Sequence, residues 1–324
     1  MSNVIIFHSP LTSESPPDEM DVLDQAEYFK EGLCELGYKV EIMPFPYDLL
    51  KIADIIKQYK PLFGVNLIET LFADGRLVQI GPAILDHYGI QYTGCSADSI
   101  YITSNKVLAK RLLSQAGIPT PSMITYNDLL TFSGYRTSRF FLVKSLWEHA
   151  SFGMNEDEQL LFDTRDELLQ KFKGLKNPHT FYCEEYVHGR EFNLSLLATN
   201  DGCEVLPVAE IRFHYPESKP KILGYKAKWD ENSFEYKNTV RTFDFEKSDE
   251  QLLFSLQEIA VRCWHLFELR GYARVDFRVD SNGSIYVLEI NANPCISPDS
   301  GFVAAAAMAG LSQKEIVKRI VNDI

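Results

Sequence analysis

Short apolar runs alternate with segments of helical spacing over the first 95 residues. The runs NVIIF, VEIMPF and PLFGVNLI predict three strands, and the segments MDVLDQAEYFKEGLCELGYKV, LLKIADIIKQYK and LVQIGPAILDHYGI predict helices. Gly37 follows the first long helical segment, at a position where glycine commonly ends a helix. Because alternating strands and helices are typical of a parallel sheet, residues 1–95 are predicted to form an N-terminal parallel α/β domain.

The pattern changes twice further along the chain. The segment SADSIYITSNKVLAKRLLSQAGIPTP predicts one helix closed by Gly117 and Pro119, and SMITY, FFLVKSL and TFYCEEYV predict strands around the helix TRDELLQKFKGL. From Gly189 onward strands predominate, with REFNLSLLAT, EVLPVAEIRF and GYKAKW ahead of the helix DEQLLFSLQEIAVRCWHLFEL. We therefore predict a mixed α/β (α+β) protein of three domains, with a central domain at 96–188 and a C-terminal antiparallel-sheet domain at 189–324.

A hairpin is predicted in the stretch RVDFRVDSNGSIYVLEINANP. An Asn-Gly pair between two alternating runs is typical of a two-residue turn, which makes Ser281 face Ser284. The period of two then places six apolar side chains on one face: Val275, Phe277, Val279, Tyr286, Leu288 and Ile290. Four polar side chains share the opposite face: Arg274, Asp276, Glu289 and Asn291.

Asp276 and Glu289 lie directly opposite each other in this register. Two facing carboxylates about 5 Å apart at Cβ repel each other. Solvent, a shared proton or a hard cation would each relieve the repulsion, and a solvated strand face with incidental charge is the simplest alternative. Two carboxylates and the carbonyl oxygen of Asn291 form an oxygen-only set that suits Mg²⁺. The hairpin therefore indicates a candidate magnesium site.

Composition narrows the classes of function. The chain has 324 residues and a net charge of −13, which argues against an overall nucleic-acid-binding surface. No apolar run approaches the ~18 residues that span a membrane, and the start MSNVIIFHSP lacks the basic segment of a signal peptide. The six cysteines show no C-x-x-C pair and no zinc spacing. We therefore expect a cytoplasmic protein with reduced thiols.

Together with the segments FFLVKS, CEEYVHGREF and YKAKW, the D-x₁₂-E-x-N frame of the hairpin resembles the ATP-grasp superfamily. Within it, the chain resembles the D-alanine–D-alanine ligases over nearly its whole length, from VNLIE to AAAAMAGLSQKEIV. The resemblance implies an ATP-grasp fold with a central lid domain. It also implies an ATP-dependent ligase that forms an amide (peptide) bond between an amino-acid-like carboxylate and an amine through an acyl phosphate, releasing ADP and phosphate.

The same resemblance implies cofactors and partners. The cofactors are ATP and two Mg²⁺ ions, with Mn²⁺ as an alternative ion. The partners are small-molecule, amino-acid-like substrates, with a homodimer as the candidate assembly and neither nucleic acid nor membrane as a partner.

The polar face of the hairpin carries the catalytic roles that the resemblance implies. Three of its residues match the ligands that hold two Mg²⁺ at the β and γ phosphates: Asp276, Glu289 and Asn291. Arg274 matches the cation that stabilises the tetrahedral intermediate, and the backbone at Cys295 matches a second oxyanion donor. Ser300 matches the serine that binds the carboxylate of the acceptor.

Ten positions match nucleotide-binding residues: Lys106, Lys144, Ser151, Gly153, Glu184, Glu185, Tyr186, Val187, Glu191 and Lys228. The three lysines match residues that reach the phosphates, Lys228 from a mobile loop that also makes it a catalytic candidate. Ser151 and Gly153 are the two residues kept from the phosphate loop of the family, and the corresponding segment reads EHASFG here. Glu184 and the backbone of Val187 match contacts to adenine, and Glu191 matches a contact to ribose. An exposed helix position for Lys106 and a solvated turn for Glu191 are the structural alternatives.

Lys144 is also unusual on physical grounds. It lies within the apolar strand FFLVKS, where a buried ammonium is costly unless an anion pairs with it. We therefore expect an anionic partner, and the resemblance identifies the α-phosphate of ATP.

The sequence departs from the D-alanine–D-alanine ligases at positions that contact their substrates. The loop HSPLTSESPP replaces a Gly-Gly-x-Ser-x-Glu segment, whose glutamate holds the ammonium of the first substrate. Ala150 and Trp229 stand where the ligases have a serine and a tyrosine. Cys295 replaces a glycine, and Gly301 replaces a leucine.

These departures favour a related carboxylate–amine ligase with other substrates. Glu14 or Glu69 is then the candidate for holding an ammonium, and the large apolar face of Trp229 suggests a bulkier substrate. The D-alanine–D-alanine ligase of cell-wall synthesis is the first alternative. A non-catalytic ATP-binding regulatory protein is the second, although a pure binder has no need for Arg274.

Overall fold

The N-terminal sheet is parallel, as the alternating pattern predicted. The structure is a computed structural model that describes residues 3–72, 74–131, 136–147 and 161–324. Its first sheet has the order β2-β1-β3: β1 (Asn3–His8), β2 (Lys39–Pro44) and β3 (Phe63–Leu67). The helices of this region are α1 (Pro17–Met20), α2 (Val22–Glu35), α3 (Lys51–Tyr59) and α4 (Ile80–His87). Alternate residues of β1 enter two separate cores, Val4 and Ile6 on one face and Ile5 and Phe7 on the other, so both faces of the sheet are covered.

The single helix predicted after residue 95 is two helices in the structure. Helices α5 (Ala97–Ser104) and α6 (Lys106–Gln115) meet at Asn105, whose backbone is extended. The side-chain oxygen of Asn105 accepts a hydrogen bond from the Leu108 amide at 3.0 Å. Asparagine favours such N-cap contacts over a helix interior, which explains the break. As a result, Lys106 is the first residue of α6.

The second sheet is antiparallel and has the order β4-β7-β5-β6. Its strands are β4 (Met123–Thr125), β5 (Arg136–Ser145), β6 (Phe162–Thr164) and β7 (Phe181–Glu185). Helices α7 (Tyr126–Thr131) and α8 (Arg165–Lys173) pack on it through a small core that includes Leu129 and Phe172. Lys144 lies on β5 directly beside Tyr182 of β7, so the lysine is in the middle of this sheet.

The third sheet has six antiparallel strands. Five follow the order β11-β10-β8-β12-β13, and the sixth, β9, pairs with β8. The strands are β8 (Gly189–Thr199), β9 (Gly202–Val205), β10 (Ala209–Phe213), β11 (Thr239–Thr242), β12 (Tyr272–Asp280) and β13 (Ile285–Asn291). The helices of this part are α9 (Tyr225–Trp229), α10 (Phe234–Lys237), α11 (Glu250–Leu266), α12 (Gly301–Met308) and α13 (Gln313–Val321).

Two strand predictions in this region are wrong. The run EVLPVAEIRF is divided into β9 and β10 around Pro207, which has no amide hydrogen for a sheet ladder. The segment GYKAKW forms helix α9 after an extended Gly224, since alanine and lysine are strong helix formers. Lys228 and Trp229 therefore occupy the last turn of a short helix.

The hairpin of β12 and β13 has the predicted register at its open end. Asp276 pairs with Glu289, and Arg274 pairs with Asn291. The sequence therefore placed these four residues correctly relative to one another.

At its turn the hairpin is shifted by one residue. The Asp280 amide donates to the Ser284 carbonyl oxygen at 3.0 Å, so the loop has three residues and ends with Gly283 at φ +81°. The predicted two-residue turn, with Ser281 opposite Ser284, is wrong. An extra residue at Leu288 forms a β-bulge in β13 and cancels the shift before the acidic pair is reached.

The shift also changes the apolar face of the hairpin. Val287 enters the core, whereas Tyr286 and Leu288 are only half-buried. The prediction that Tyr286 and Leu288 belong to the apolar face is therefore wrong. Four predicted core positions are confirmed: Val275, Phe277, Val279 and Ile290.

Three sheets in chain order confirm the mixed α/β (α+β) class. The first sheet also packs on the last part of the chain. The Phe29 ring of α2 lies 6.2 Å from that of Tyr272, and Gln313 of α13 donates from Nε2 to the Tyr28 carbonyl oxygen at 2.7 Å.

The domain boundaries after residues 95 and 188 stay predictions. Within the described parts of the chain, no helix has the length and apolar character needed to cross a membrane.

Gly189 opens β8 against the backbone of β12. A Cβ atom at this position would lie 1.9 Å from the Val279 carbonyl oxygen, and a strand backbone has little freedom to move away. We expect Gly189→Ala to lower the free energy of unfolding by about 1–3 kcal/mol in urea denaturation. Gly174→Ala is the matched control, because its nearest contact is at 3.4 Å, to the Lys171 carbonyl oxygen. Equal stability of the two variants would contradict the close approach of β8 and β12.

Candidate active site

Asp276 is a buried carboxylate with both oxygens engaged. Oδ1 accepts hydrogen bonds from Arg274 Nε at 2.7 Å and Asn193 Nδ2 at 2.8 Å. Oδ2 accepts from Arg274 Nη2 at 2.9 Å and Asn291 Nδ2 at 3.1 Å. Burial alone would lower the pKa of Arg274, but Asp276, and after it Glu289, raise that pKa above its usual value. Arg274 is therefore a permanent cation fixed by two contacts to one carboxylate.

Two lysines lie near the second carboxylate of the hairpin. Lys106 has its Nζ 3.6 Å from Glu289 Oε2, and the residue is only 8% exposed. Among the described residues this ammonium has no hydrogen-bond partner. Burial lowers the pKa of Lys228 on α9, and attraction to Glu289 opposes that shift. A buried ammonium that lacks a hydrogen bond favours an anionic ligand beside it.

Glu184 is held by two ammonium groups. Lys110 Nζ lies 2.5 Å from Oε2, Lys144 Nζ lies 2.5 Å from Oε1, and the Tyr182 hydroxyl donates to Oε2 at 3.2 Å. Burial by itself would raise the pKa of Glu184, but the two lysines lower it to about 2. Lys144 therefore has the anionic partner that an apolar strand requires, and in this structure that partner is Glu184.

Lys110 and Asn193 also belong to this region, although neither was predicted from the sequence. Lys110 is 1% exposed and follows Lys106 by one helical turn on α6, so the i, i+4 spacing within KVLAK was the available signal. Asn193 pairs with Asp276 across β8 and β12. A polar residue within the apolar run FNLSLL was the signal for that position.

Glu191 is paired within the third sheet, which excludes the solvated-turn alternative. It is 6% exposed, and its Oε2 lies 2.7 Å from Arg278 Nη2. Arg278 also donates to the carbonyl oxygens of Gly189, at 3.2 Å, and Lys221. The centre of its guanidinium group lies 5.8 Å from the Tyr186 ring. Arg278 thus joins the ribose candidate Glu191 to the connection between the second and third sheets.

That connection follows directly after β7. The Glu185 amide donates to the Ser122 carbonyl oxygen and the Tyr186 amide to the Phe140 carbonyl oxygen, both at 2.8 Å. Val187 is buried at 9% exposure. The backbone is therefore supported from both neighbouring segments before it enters β8.

Ser300 is the N-cap of α12. Its Oγ accepts a hydrogen bond from the Val303 amide at 3.2 Å, which leaves the hydroxyl hydrogen for another acceptor. Arg241 of β11, a residue that the sequence analysis missed, lies next to Gly301 and donates from Nη1 to the Asp299 carbonyl oxygen at 3.5 Å. A hydroxyl and a guanidinium side by side form a suitable place for a carboxylate.

Cys295 joins the segment before α12 to the N-terminal sheet. Its thiol donates to Asp21 Oδ2 at 3.0 Å. Gln25 Nε2 donates to the same Asp21 oxygen at 3.1 Å and to Glu69 Oε1 at 3.0 Å. Of the two glutamates considered for an ammonium group, Glu69 belongs to this network, whereas Glu14 is exposed.

Burial controls the charges of this network. It raises the pKa of Glu69 to about 7, against the opposing effect of the Gln25 hydrogen bond and together with repulsion from Asp21. Burial, followed by repulsion from Asp21, also raises the pKa of the Cys295 thiol. A protonated thiol is a poor nucleophile, so Cys295 acts as a hydrogen-bond donor here.

Four further positions were singled out in the sequence. Ser151 and Gly153, together with Ala150, lie outside the described residues. Trp229 lies beside Lys228 on α9, and its Nε1 is buried without a hydrogen-bond partner in the described part of the chain.

The acidic pair of Asp276 and Glu289 suits a hard divalent cation such as Mg²⁺. The described residues contain no group of three or more His, Cys, Asp or Glu side chains that could hold a metal ion. Asn291 uses its Nδ2 on Asp276, which leaves its carbonyl oxygen as an acceptor next to two carboxylates. Mg²⁺ typically takes one or two carboxylates and completes its shell with water and phosphate oxygens, so Asp276, Glu289 and Asn291 fit it.

Comparisons with known proteins identify the family and the fold. Residues 139–322 match the family described as D-ala D-ala ligase C-terminus. The chain is 30% identical over 303 residues to a D-alanine–D-alanine ligase of Thermotoga petrophila, covering 93% of this chain and 91% of that protein. It is 33% identical over 263 residues to the uncharacterized protein y4sG of Sinorhizobium fredii, covering 79% and 73% respectively.

A solved structure shows the same fold. The D-alanine–D-alanine ligase from Bacillus anthracis complexed with ATP superposes with a TM-score of 0.74 at 19% identity, covering 100% of this chain and 97% of that one. The fold and the site thus define an ATP-grasp enzyme, an ATP-dependent carboxylate–amine ligase. The chain belongs to the D-alanine–D-alanine ligase family.

Replacing Glu184 tests the buried ion pairs. Glu184→Gln removes the anion between two ammonium groups, so the variant should lose about 3–5 kcal/mol of unfolding free energy near neutral pH. A carboxylate whose folded pKa is lowered from 4.5 to about 2 adds stability that is full above 4.5 and vanishes as the pH falls toward 2. The deficit of the variant should therefore shrink on acidification.

The measurement is urea denaturation of both proteins at about pH 7 and about pH 3. The exposed Glu217 provides a control, since Glu217→Gln should change stability at neither pH. A deficit of the Glu184 variant that is the same at both pH values would contradict the ionised, lysine-paired state of Glu184.

Proposed function

We propose that this ligase joins an amino acid, through its carboxylate, to the amine of a second amino-acid-like molecule, and that at least one of the two differs from D-alanine. The observation that carries this proposal is the network of Cys295, Asp21, Gln25 and Glu69. Its Cys295 lies just after the end of β13, where Asn291 pairs with Arg274. Carboxyl groups at this junction favour a substrate ammonium, and the Cys295 side chain fills space that a glycine would leave open.

In the first step, a carboxylate oxygen of the donor attacks the γ-phosphorus of ATP, and the bond from that phosphorus to ADP breaks. We assign the neutralisation of phosphate charge to three lysines: Lys106, Lys144 and Lys228. Asp276, Glu289 and Asn291 are the proposed ligands of two Mg²⁺ ions, which neutralise charge on the β and γ phosphates when bound. Phosphoryl transfer needs mainly positioning and charge stabilisation, which is what these residues supply.

In the second step, the amine lone pair attacks the acyl carbon, and the bond to phosphate breaks. The amine loses a proton, and inorganic phosphate leaves. Arg274 stabilises the negative charge that develops on the acyl oxygen, with the Cys295 amide as a second donor. We place the carboxylate of the acceptor at Ser300 and Arg241.

We place the nucleotide base and sugar at the connection after β7. Glu184, Glu185, Tyr186 and Val187 are the proposed adenine contacts, and Glu191 is the proposed ribose contact. Ser151 and Gly153 are proposed to contribute to the phosphate loop. We also propose that the chain divides into domains at 1–95, 96–188 and 189–324.

The D-alanine–D-alanine ligase activity is the second candidate function. The names of the Thermotoga relatives favour it, since they are about 30% identical to this chain over nearly its whole length. A non-catalytic ATP-binding protein is the third candidate, and the fixed Arg274–Asp276 pair argues against it, because binding alone does not require an oxyanion-stabilising cation.

Release of ADP in the presence of ATP and Mg²⁺ distinguishes these functions. Pools of D- and L-amino acids should stimulate release, and mass spectrometry should identify an amide product other than D-alanyl-D-alanine. Asp276→Ala should remove activity while the protein stays folded, because it leaves the metal set with one carboxylate. Stimulation by D-alanine alone would favour the second candidate, and tight ATP binding without release in any pool would favour the third.

Trp229 is expected to influence the choice of substrate. Trp229→Tyr should change the ratio of kcat/KM values between competing amino acids by about 10-fold or more, since a pocket contact of this size is worth about 1–3 kcal/mol. The KM for ATP should change less. Steady-state kinetics with two accepted amino acids measure both quantities, and an altered KM for ATP with unaltered selectivity would contradict this role.

A further inference from the structure

The position of Glu289 depends on one extra residue in β13. Near the turn, Phe277 pairs with Val287, a register in which Asp276 would face Leu288. The bulge at Leu288 moves the next residue, Glu289, opposite Asp276. Without the bulge, an apolar side chain would therefore stand where the second carboxylate of the site is found.

The bulge is held from outside its own hairpin. Strand β13 is at the edge of the third sheet, so its outer backbone groups need other partners. The Leu288 carbonyl oxygen accepts from Lys110 Nζ at 3.1 Å, and the Val287 carbonyl oxygen accepts from Thr120 Oγ1 at 2.7 Å. The Val287 amide donates to the Pro119 carbonyl oxygen at 2.8 Å. Helix α6 and the segment after it thus fix the bulged backbone.

Lys110 is the centre of these contacts. Its ammonium has three N–H groups and three partners: Glu184 Oε2 at 2.5 Å, Thr120 Oγ1 at 2.9 Å and the Leu288 carbonyl oxygen at 3.1 Å. The side chain is 1% exposed. An ammonium with all its donors used inside the protein does not itself bind a phosphate, so Lys110 acts through its neighbours.

We propose that Lys110 is a positioning residue that couples the carboxylate on the adenine side of the site to the carboxylate on the metal side. It fixes Glu184 by an ion pair and fixes Glu289 by holding the carbonyl group of the preceding residue. This inference rests on the proposed function, because it treats Glu289 as a cation ligand and Glu184 as part of the nucleotide site. A purely structural lysine would support stability without influencing the binding of the cation.

Two matched variants on the same helix separate these roles. Lys110→Met keeps the length of the side chain and removes the charge and the hydrogen bonds. Arg111→Met removes a cation from the exposed neighbouring position and serves as the control. Circular dichroism and thermal melting establish that both variants are folded before they are compared.

The first measurement is backbone hydrogen exchange, which needs neither substrate nor metal. In Lys110→Met, a peptide that covers residues 285–291 should exchange about 10-fold faster or more, because the bulge has lost one of its outer partners. A peptide from the centre of β8 should exchange as in the wild type. Exchange of 285–291 at the wild-type rate would overturn the proposal, whatever the activity of the protein is.

The second measurement is the affinity for Mn²⁺. It is determined by electron paramagnetic resonance in the presence of a non-hydrolysable ATP analogue. Lys110→Met should weaken Mn²⁺ binding about 10–100-fold, the usual effect of removing a group that orients a metal ligand. Arg111→Met should bind like the wild type. Unchanged Mn²⁺ affinity of a folded Lys110→Met would reduce the lysine to a structural role and overturn the proposal.

Thr120→Val covers the case in which Lys110→Met does not fold. It removes the hydroxyl that accepts from Lys110 and donates to Val287, and leaves the ion pair with Glu184 in place. Exchange of 285–291 should again be faster and Mn²⁺ binding weaker, by smaller factors. If neither changes, the coupling is refuted.

The same experiments separate this inference from the proposed function. If the wild type releases no ADP with any amino acid yet hydrogen exchange responds as expected, the proposed function fails and the coupling survives.

Discussion

The contact between Arg274 and Asp276 is the interaction on which the site depends. It places a permanent positive charge against one of two facing carboxylates, so a hairpin that would otherwise repel itself is stable within a sheet. Asn193 and Asn291 complete the hydrogen bonds of the same carboxylate. These contacts fix Asp276 beside Glu289 and the carbonyl oxygen of Asn291, the oxygen set that we propose for Mg²⁺.

Several cations gather around this pair although the molecule as a whole is acidic. The chain carries a net charge of −13, yet Lys106, Lys144 and Lys228 meet at the hairpin and at Glu184. Each lysine comes from a different part of the chain: the start of a helix, the end of an antiparallel strand and the end of a short helix. Concentrating cations at one site of an acidic protein attracts a polyphosphate without giving the whole surface an affinity for nucleic acid.

The sequence predicted the elements that follow from local patterns and missed those that depend on distant contacts. The pairing of Asp276 with Glu289 was correct although the turn was not, since an unpredicted loop residue and an unpredicted bulge cancel each other. The bulge is stabilised by Lys110, which is 178 positions away along the chain. The ion pair of Glu191 with Arg278 and the network of Cys295 likewise join residues far apart in sequence, and no periodicity reports such contacts.

The packing of α13 on α2 has a consequence for how the chain is made. Val317 approaches so closely that a Cβ atom at Gly32 would lie 2.7 Å from it, and Phe29 shares its core with Tyr272 and Phe302. The parallel sheet of β1, β2 and β3 therefore completes its apolar covering only with residues far along the chain, such as those near Gln313, which contacts Tyr28 from 285 positions away. Until α13 has been synthesised this face lacks part of its covering, and contacts of such high sequence separation favour slow folding.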